Sequence, residues 1–97
     1  MSLDKYEPSD ISRVEVVAHA KIRSFVVMEC VLVDINGHAI DLKYIKSSEL
    51  KEKGVIKRHD ATQKAERWLN TQEGREWVFH AIDYKSELLK KIKDMYA

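Results

Sequence analysis

Residues 31–42 read VLVDINGHAIDL, two apolar runs separated by Asn36 and Gly37. An Asn-Gly pair between alternating apolar residues is the strongest short-range signal for a β-hairpin, because both turn positions favour positive φ. With these two as the loop residues, the hairpin extends over about residues 23–46. The register then pairs Val33 with Ile40, Val31 with Leu42, and Glu29 with Tyr44. The apolar pairs predict that the face containing Val31 contacts the core.

The other face of this hairpin is also apolar along its first strand. It carries Val26, Met28, Cys30 and Leu32, whose neighbours across the hairpin are Ala39, Asp41 and Lys43. An apolar row beside mostly polar neighbours predicts a cover from outside the hairpin, either another strand's side chains or a second subunit. Phe79 is a second unexplained apolar side chain, because it lies on the polar side of its predicted helix. We therefore take Val26, Met28, Leu32 and Phe79 as the candidate interface.

A third strand is predicted upstream, where residues 13–22 alternate with the period of two that is typical of a half-buried strand. Its apolar side carries Val14, Val16, Ala18, Ala20 and Ile22. Residues 1–10 are polar, contain the only proline and lack the basic-then-apolar pattern of a signal peptide. We expect a flexible leader over residues 1–10 and a single domain over residues 11–97.

Two helices are predicted downstream, where residues 59–80 read HDATQKAERWLNTQEGREWVFH. Asp60 with Gln63 three residues later predicts the N-cap of the first helix. The second helix is expected to run from about Gln72 to Met95, with a broad apolar arc and Ala81 at its closest approach to the sheet. The predicted fold class is α+β: a three-stranded antiparallel sheet followed by a helical hairpin, whose long C-terminal amphipathic helix packs on the sheet.

The helix pair could instead be a DNA-reading helix-turn-helix, whose second helix presents its outward residues to bases and phosphates. Here Glu73, Glu76 and Asp83 would repel phosphates, which favours two helices that cover a sheet. The core expected from these patterns comprises Val14, Val16, Val31, Val33, Ile40, Leu42, Trp68, Leu69, Val78, Ile82, Leu88 and Ile92.

The whole chain has 97 residues and a net charge of +1. This balance argues neither for a polyanion binder nor for an acidic mimic of nucleic acid, so any electrostatic preference must come from local clusters. No apolar run approaches the ~20 residues that a membrane-spanning helix needs, and we expect no membrane partner. The single cysteine, Cys30, lies in an apolar run, which predicts a buried, inert thiol in a cytoplasmic protein.

No motif for catalysis or metal binding is present in the sequence. The four histidines lie on different predicted elements, and no recognisable third and fourth metal ligands accompany them. A G-x-S-x-G nucleophile turn and a Gly-rich phosphate loop are both missing. We therefore predict no metal, no cofactor and no enzymatic activity. An enzyme with its cleft at a subunit boundary would have one plausible acid–base cluster, formed by Glu76, His80 and Asp83.

The sequence thus favours a small, non-catalytic protein-interaction module with a regulatory or accessory role, expected to be a homodimer. The alternative is a nucleic-acid-binding protein that uses the basic segment at residues 51–67. Phosphate contacts from this segment would be salt-dependent and mostly independent of base sequence. The candidate residues are Lys53, Lys57, Arg58, Lys64 and Arg67. The competing interpretation is a solvated, lysine-bearing loop.

Overall fold

A computed structural model describes residues 3–96 and confirms the predicted α+β class. The chain forms strands β1 (Ile11–Ile22), β2 (Phe25–Asp34) and β3 (Ala39–Lys46), then helices α1 (Ser47–Glu52), α2 (Thr62–Leu69), α3 (Gln72–His80) and α4 (Lys85–Met95). A short 3-10 helix at Pro8–Asp10 precedes β1. The three strands pair antiparallel in the order β1-β2-β3.

The β2–β3 hairpin has the predicted register over most of its length, with Val31 opposite Leu42 and Glu29 opposite Tyr44. The turn differs: the Asp34 N–H donates to the His38 carbonyl at 2.9 Å, so the loop has three residues. Gly37 has a φ of 82°, whereas Asn36 does not have positive φ. A three-residue loop with a left-handed glycine introduces a bulge, which pairs Val33 with Ala39 instead of Ile40.

Strand β1 also contains a bulge, between Val16 and Ala18. One extra residue in a strand reverses the direction of every following side chain. Val14 and Val16 therefore pack on one face of the sheet, while Ala20 and Ile22 pack on the other. The prediction that all of the alternating residues share one face is wrong for this reason.

The main core lies on the face of the sheet that the sequence pattern did not favour. Met28, Cys30 and Leu32 are fully buried there beneath α1, α2 and α3. Val31 on the opposite face is only half-buried, and 39% of Leu42 is exposed. Because β2 is apolar on both faces, its pattern could not decide which face the helices would cover.

The candidate interface from the sequence is consequently part of the interior. Val26, Met28 and Leu32 are at most 5% exposed, so they do not form a free surface. Phe79 is half-buried and packs against the same core. Lys43, whose charge made this face seem polar, places its amino group at the end of α3 and is itself only 6% exposed.

The predicted helix over residues 72–95 is two helices, because the chain crosses the free edge of β3 between them. At this crossing the Tyr84 N–H donates to the Tyr44 carbonyl at 2.9 Å, and the Tyr44 N–H donates to Asp83 Oδ1 at 3.2 Å. Helix α4 then lies on the opposite face of the sheet, where Leu88 packs against Phe25 and Val27. The apolar residues of the predicted helix therefore pack against both faces of the sheet, those of α3 on the main core and those of α4 on the opposite face. Ala81 lies at the end of α3 instead of at a helix centre.

Helices α2 and α3 cover the main core, as the sheet-covering interpretation predicts. Leu69 and Val78 are fully buried, and Thr71 caps α3 by accepting a hydrogen bond from the Gly74 N–H at 3.0 Å. The predicted cap of α2 is wrong. Asp60 instead forms an ion pair with Arg58, and α2 begins at Thr62 without a side-chain cap.

Half of the twelve residues predicted to form the core are buried. Val14, Val33, Ile40, Leu69, Val78 and Leu88 are buried; Val16, Val31, Trp68 and Ile92 are half-buried; Leu42 and Ile82 are exposed. In the segment predicted as a leader, Leu3 and Tyr6 are half-buried and pack against the main core. Met1 and Ser2 of that segment lie outside the described residues.

Candidate interaction surfaces

Helix α4 covers only one end of its face of the sheet. It packs over Phe25 and Val27 near the β1–β2 turn. Beyond it, successive cross-strand rows remain without a helix above them. These rows contain Ala18, Glu29 and Tyr44, then Glu15, Val31 and Leu42. We call the uncovered rows, from Glu15 and Ala18 on β1 to Leu42 on β3, the open sheet surface.

The orientation of α4 places an apolar flank beside this surface. Lys91 Nζ lies 5.3 Å from the centre of the Phe25 ring, and Asp94 lies near the residues of the β1–β2 turn. These two residues therefore mark the side of α4 that faces the turn. At 100° per residue, Leu89 and Tyr96 lie on the opposite flank, toward the open sheet surface. They are 55% and 83% exposed.

A tyrosine–carboxylate pair marks the boundary between the covered and the open rows. The Tyr44 hydroxyl donates to Glu29 Oε1 at 2.6 Å. This hydrogen bond, with a smaller contribution from burial, raises the pKa of Tyr44 to about 12. Glu29 is thereby held in place at the edge of the open sheet surface.

A second surface collects positive charge around the β1–β2 turn. Three shallow depressions surround this end of the molecule, with volumes of about 400, 280 and 270 Å³. The first two share Asp60, and the last two are lined by neighbouring residues of β1 and its turn. We call their exposed cationic side chains the basic end: Lys21, Arg23, Arg58, Lys64, Arg67 and Lys91.

The structure brings together three of the five basic residues that the sequence singled out, namely Arg58, Lys64 and Arg67. Lys57 is exposed in the loop beside Arg58. Lys53 lies elsewhere, with its Nζ 5.8 Å from the centre of the Trp68 ring, and lines a different cleft.

Sequence reasoning did not include Lys21, Arg23 and Lys91 in the basic cluster. The outward position of Lys21 in the alternating pattern was the one available signal for that residue. Arg23 has a φ of 58° in the tight turn, and the local sequence contains no residue pattern that predicts this conformation.

Two carboxylates of the basic segment are occupied by partners within the chain. The Asp60 oxygens each lie 3.2 Å from Arg58, and this pairing lowers the pKa of Asp60. Glu66 Oε2 accepts a hydrogen bond from the Val16 N–H at 2.8 Å, at the free edge of β1. Asp60 therefore offsets the charge of Arg58 directly, whereas Glu66 is directed to the edge of β1.

The acid–base cluster considered in the sequence is only partly assembled. Glu76 and His80 line an open cleft of about 820 Å³ between α1 and α3, together with Glu49, Lys53 and Trp77. Asp83 does not line it, because its carboxylate accepts hydrogen bonds from the backbone of Tyr44 and Lys85. Within residues 3–96, no three side chains of the metal-binding types come together as a ligand set.

The chain matches no protein-family model, no curated protein and no solved structure. Over the described residues, every helix is too short or too polar to cross a bilayer.

Proposed function

We propose that this chain is a non-catalytic accessory module that acts through protein contacts and assembles as a homodimer. The observation that carries the proposal is the open sheet surface beside the apolar flank of α4. Val31 and Leu42 are the apolar residues of this surface, and the helical spacing of α4 directs Leu89 toward it. An uncovered sheet face with apolar side chains is typical of a contact surface.

The dimensions of the sheet leave room for a further helix on this face. Strand β2 has ten residues, which corresponds to a length of about 33 Å. Of the β2 residues on this face, Phe25 and Val27 pack against Leu88 of α4, whereas Glu29 and Val31 lie beyond it. A helix from a partner can therefore lie beside α4 on the open sheet surface.

A second copy supplies a helix with suitable chemistry. The exposed flank of α4 presents Leu89 between Lys85 and Lys93, which are spaced four residues apart on either side. The open sheet surface presents Val31 and Leu42 beside Glu15 and Glu29. In a two-fold dimer, the flank of each copy would lie on the open sheet surface of the other, with apolar groups in contact and opposite charges adjacent.

Light scattering of the purified chain tests this proposal, with the wild type expected to have twice the mass of one chain. Leu42→Lys and Leu89→Lys should each give monomers, because each places a charge in the apolar contact. The matched control is Ile82→Lys, since Ile82 is 65% exposed but lines the cleft on the other side of the molecule. A monomeric wild type, or dimers that persist in both contact variants, would contradict the proposal.

A further inference from the structure

The basic end concentrates charge that the composition of the chain conceals. It brings six cationic side chains from β1, the β1–β2 turn, the loop before α2, α2 itself and α4 to one end of the molecule. Two carboxylates, Asp60 and Asp94, line the same depressions, and Asp60 is paired with Arg58. The whole chain has a net charge of only +1, so its charge is strongly separated in space. Such a separation orients a protein toward a polyanion during association.

The shape of this end fits an extended anion better than a small one. The three depressions are shallow: two adjoin the β1–β2 turn on opposite faces of the sheet, and the third meets one of these at Asp60 and continues along the start of α2. Their basic side chains are exposed, whereas a small-molecule site would enclose its ligand. A chain of phosphates that passes the turn could contact several of these side chains at once.

From this arrangement we propose that the basic end binds the phosphate backbone of double-stranded nucleic acid without reading its sequence. The residues that line the depressions include no Phe, Tyr or Trp, the side chains on which unpaired bases stack. Helix α2 is anchored on the edge of β1 through Glu66 and Asn70, and it contributes Lys64 and Arg67, two long cationic side chains that suit phosphate groups. Contacts with phosphates alone carry no base preference, and the denser phosphate charge of a duplex strengthens them relative to a single strand.

The dependence of affinity on salt gives this inference a quantitative test. Six phosphate contacts on B-form DNA correspond to a slope of log affinity against log salt of about −5. Fluorescence anisotropy of a labelled, short mixed-sequence DNA duplex would measure this slope from low to moderate salt. A second duplex of unrelated sequence should bind with the same affinity, and a single strand should bind more weakly.

Paired substitutions locate the contacts. Lys64→Gln with Arg67→Gln, and separately Lys21→Gln with Arg23→Gln, should each reduce the magnitude of the slope by about 2. At roughly 0.1 M salt the affinity should fall on the order of 10- to 60-fold for each pair. The matched control is Lys51→Gln with Lys53→Gln, which removes the same charge from α1 and its C-cap, and it should change the affinity less than about threefold.

Three outcomes would overturn the inference. One is the absence of duplex binding at low salt. Another is an equal loss of affinity in the control pair, which would indicate a response to total charge. The third is binding to anionic phospholipid vesicles without binding to the duplex. Light scattering of the same variants keeps this test separate from that of the dimer, because the basic-end variants should retain the wild-type mass.

Discussion

Asn70 bonds to both backbone groups of Val14, as a neighbouring strand would. Its Oδ1 accepts a hydrogen bond from the Val14 N–H at 2.9 Å, and its Nδ2 donates to the Val14 carbonyl at 2.8 Å. An exposed strand edge is a template for pairing with other chains, and proteins commonly cover it. Here α2 covers the first half of the β1 edge with side chains, because Glu66 bonds the next outward N–H, that of Val16.

We predict that Asn70→Ala lowers the free energy of unfolding by about 1–3 kcal/mol, because it leaves both Val14 backbone groups without partners. Urea denaturation measures the change. Gln63→Ala, an exposed substitution on the same helix, should change stability by less than about 0.5 kcal/mol. An Asn70→Ala variant as stable as this control would show that water replaces the amide without cost.

Lys43 holds the end of α3 where the chain leaves for the other face of the sheet. Its Nζ donates to the carbonyl oxygens of Val78, Phe79 and Ala81 at 2.8–2.9 Å. A cation at a helix C-terminus is favoured by the helix dipole. Lys43→Met should destabilise the protein by about 2 kcal/mol or more, since these carbonyls lose their donor.

The contribution of Lys43 should also depend on pH. Burial lowers the pKa of Lys43 below its ordinary value of 10.5, although nearby Asp41 and Asp83 partly oppose this effect. The unfolded lysine therefore binds its proton more tightly than the folded one, and the wild type gains stability as pH rises toward 10.5. The difference in unfolding free energy between wild type and Lys43→Met should widen over that range. A difference that stays constant or narrows would contradict the lowered pKa.

The role of Lys43 explains why the sequence predicted the strands better than the helices. The Asn36-Gly37 signal is local, and it located the hairpin and most of its register. The break after α3 depends on Lys43 and Tyr44, which are about forty residues earlier in the chain. No local pattern in residues 72–95 contains this information, so a continuous amphipathic helix was the natural prediction.

The candidate surfaces also depend on contacts between residues that are far apart in the sequence. Arg58, Lys64 and Arg67 are close in sequence, and their cluster could be predicted. Lys21 and Lys91 join them only through the fold. The apolar hairpin neighbours of Leu42 predict a core position, but α1, α2 and α3 cover the other face and Leu42 stays 39% exposed. Because both faces of β2 are apolar, the sequence does not indicate which face the helices cover.

Gly74 allows α2 and α3 to touch. A Cβ atom at this position would lie 2.0 Å from the Trp68 carbonyl oxygen and 2.6 Å from Leu69 Cα, both of which are backbone atoms. Gly74→Ala should therefore destabilise the protein by about 3 kcal/mol, despite the higher helix propensity of alanine. Thermal unfolding by circular dichroism would measure this loss. Gln72→Ala, an exposed change in the same turn, is the control; equal melting temperatures for the two variants would contradict the close contact.

Cys30 should be unreactive until the protein unfolds. The side chain is fully buried, and burial, with smaller contributions from Glu66 and Glu29, raises the pKa of its thiol from 9.0 to about 12. The thiolate is the reactive form, so near pH 8 its native population is about a thousandfold below that of an unfolded chain. Because the folded state holds this proton more tightly than the unfolded state, the raised pKa adds to the free energy of unfolding below about pH 9. This contribution is lost as pH rises toward 12.

A thiol-specific chromogenic reagent measures this protection. Labelling of the native protein near pH 8 should be slow and limited by transient unfolding, whereas labelling in denaturing urea should be immediate. Ile82→Cys provides the control, because its added thiol is exposed outside the proposed dimer contact and should react at once while Cys30 in the same molecule does not. Native labelling of Cys30 as fast as that of the added thiol would mean that the sheet is accessible beneath its helices, and the packing of Met28, Cys30 and Leu32 would then be wrong.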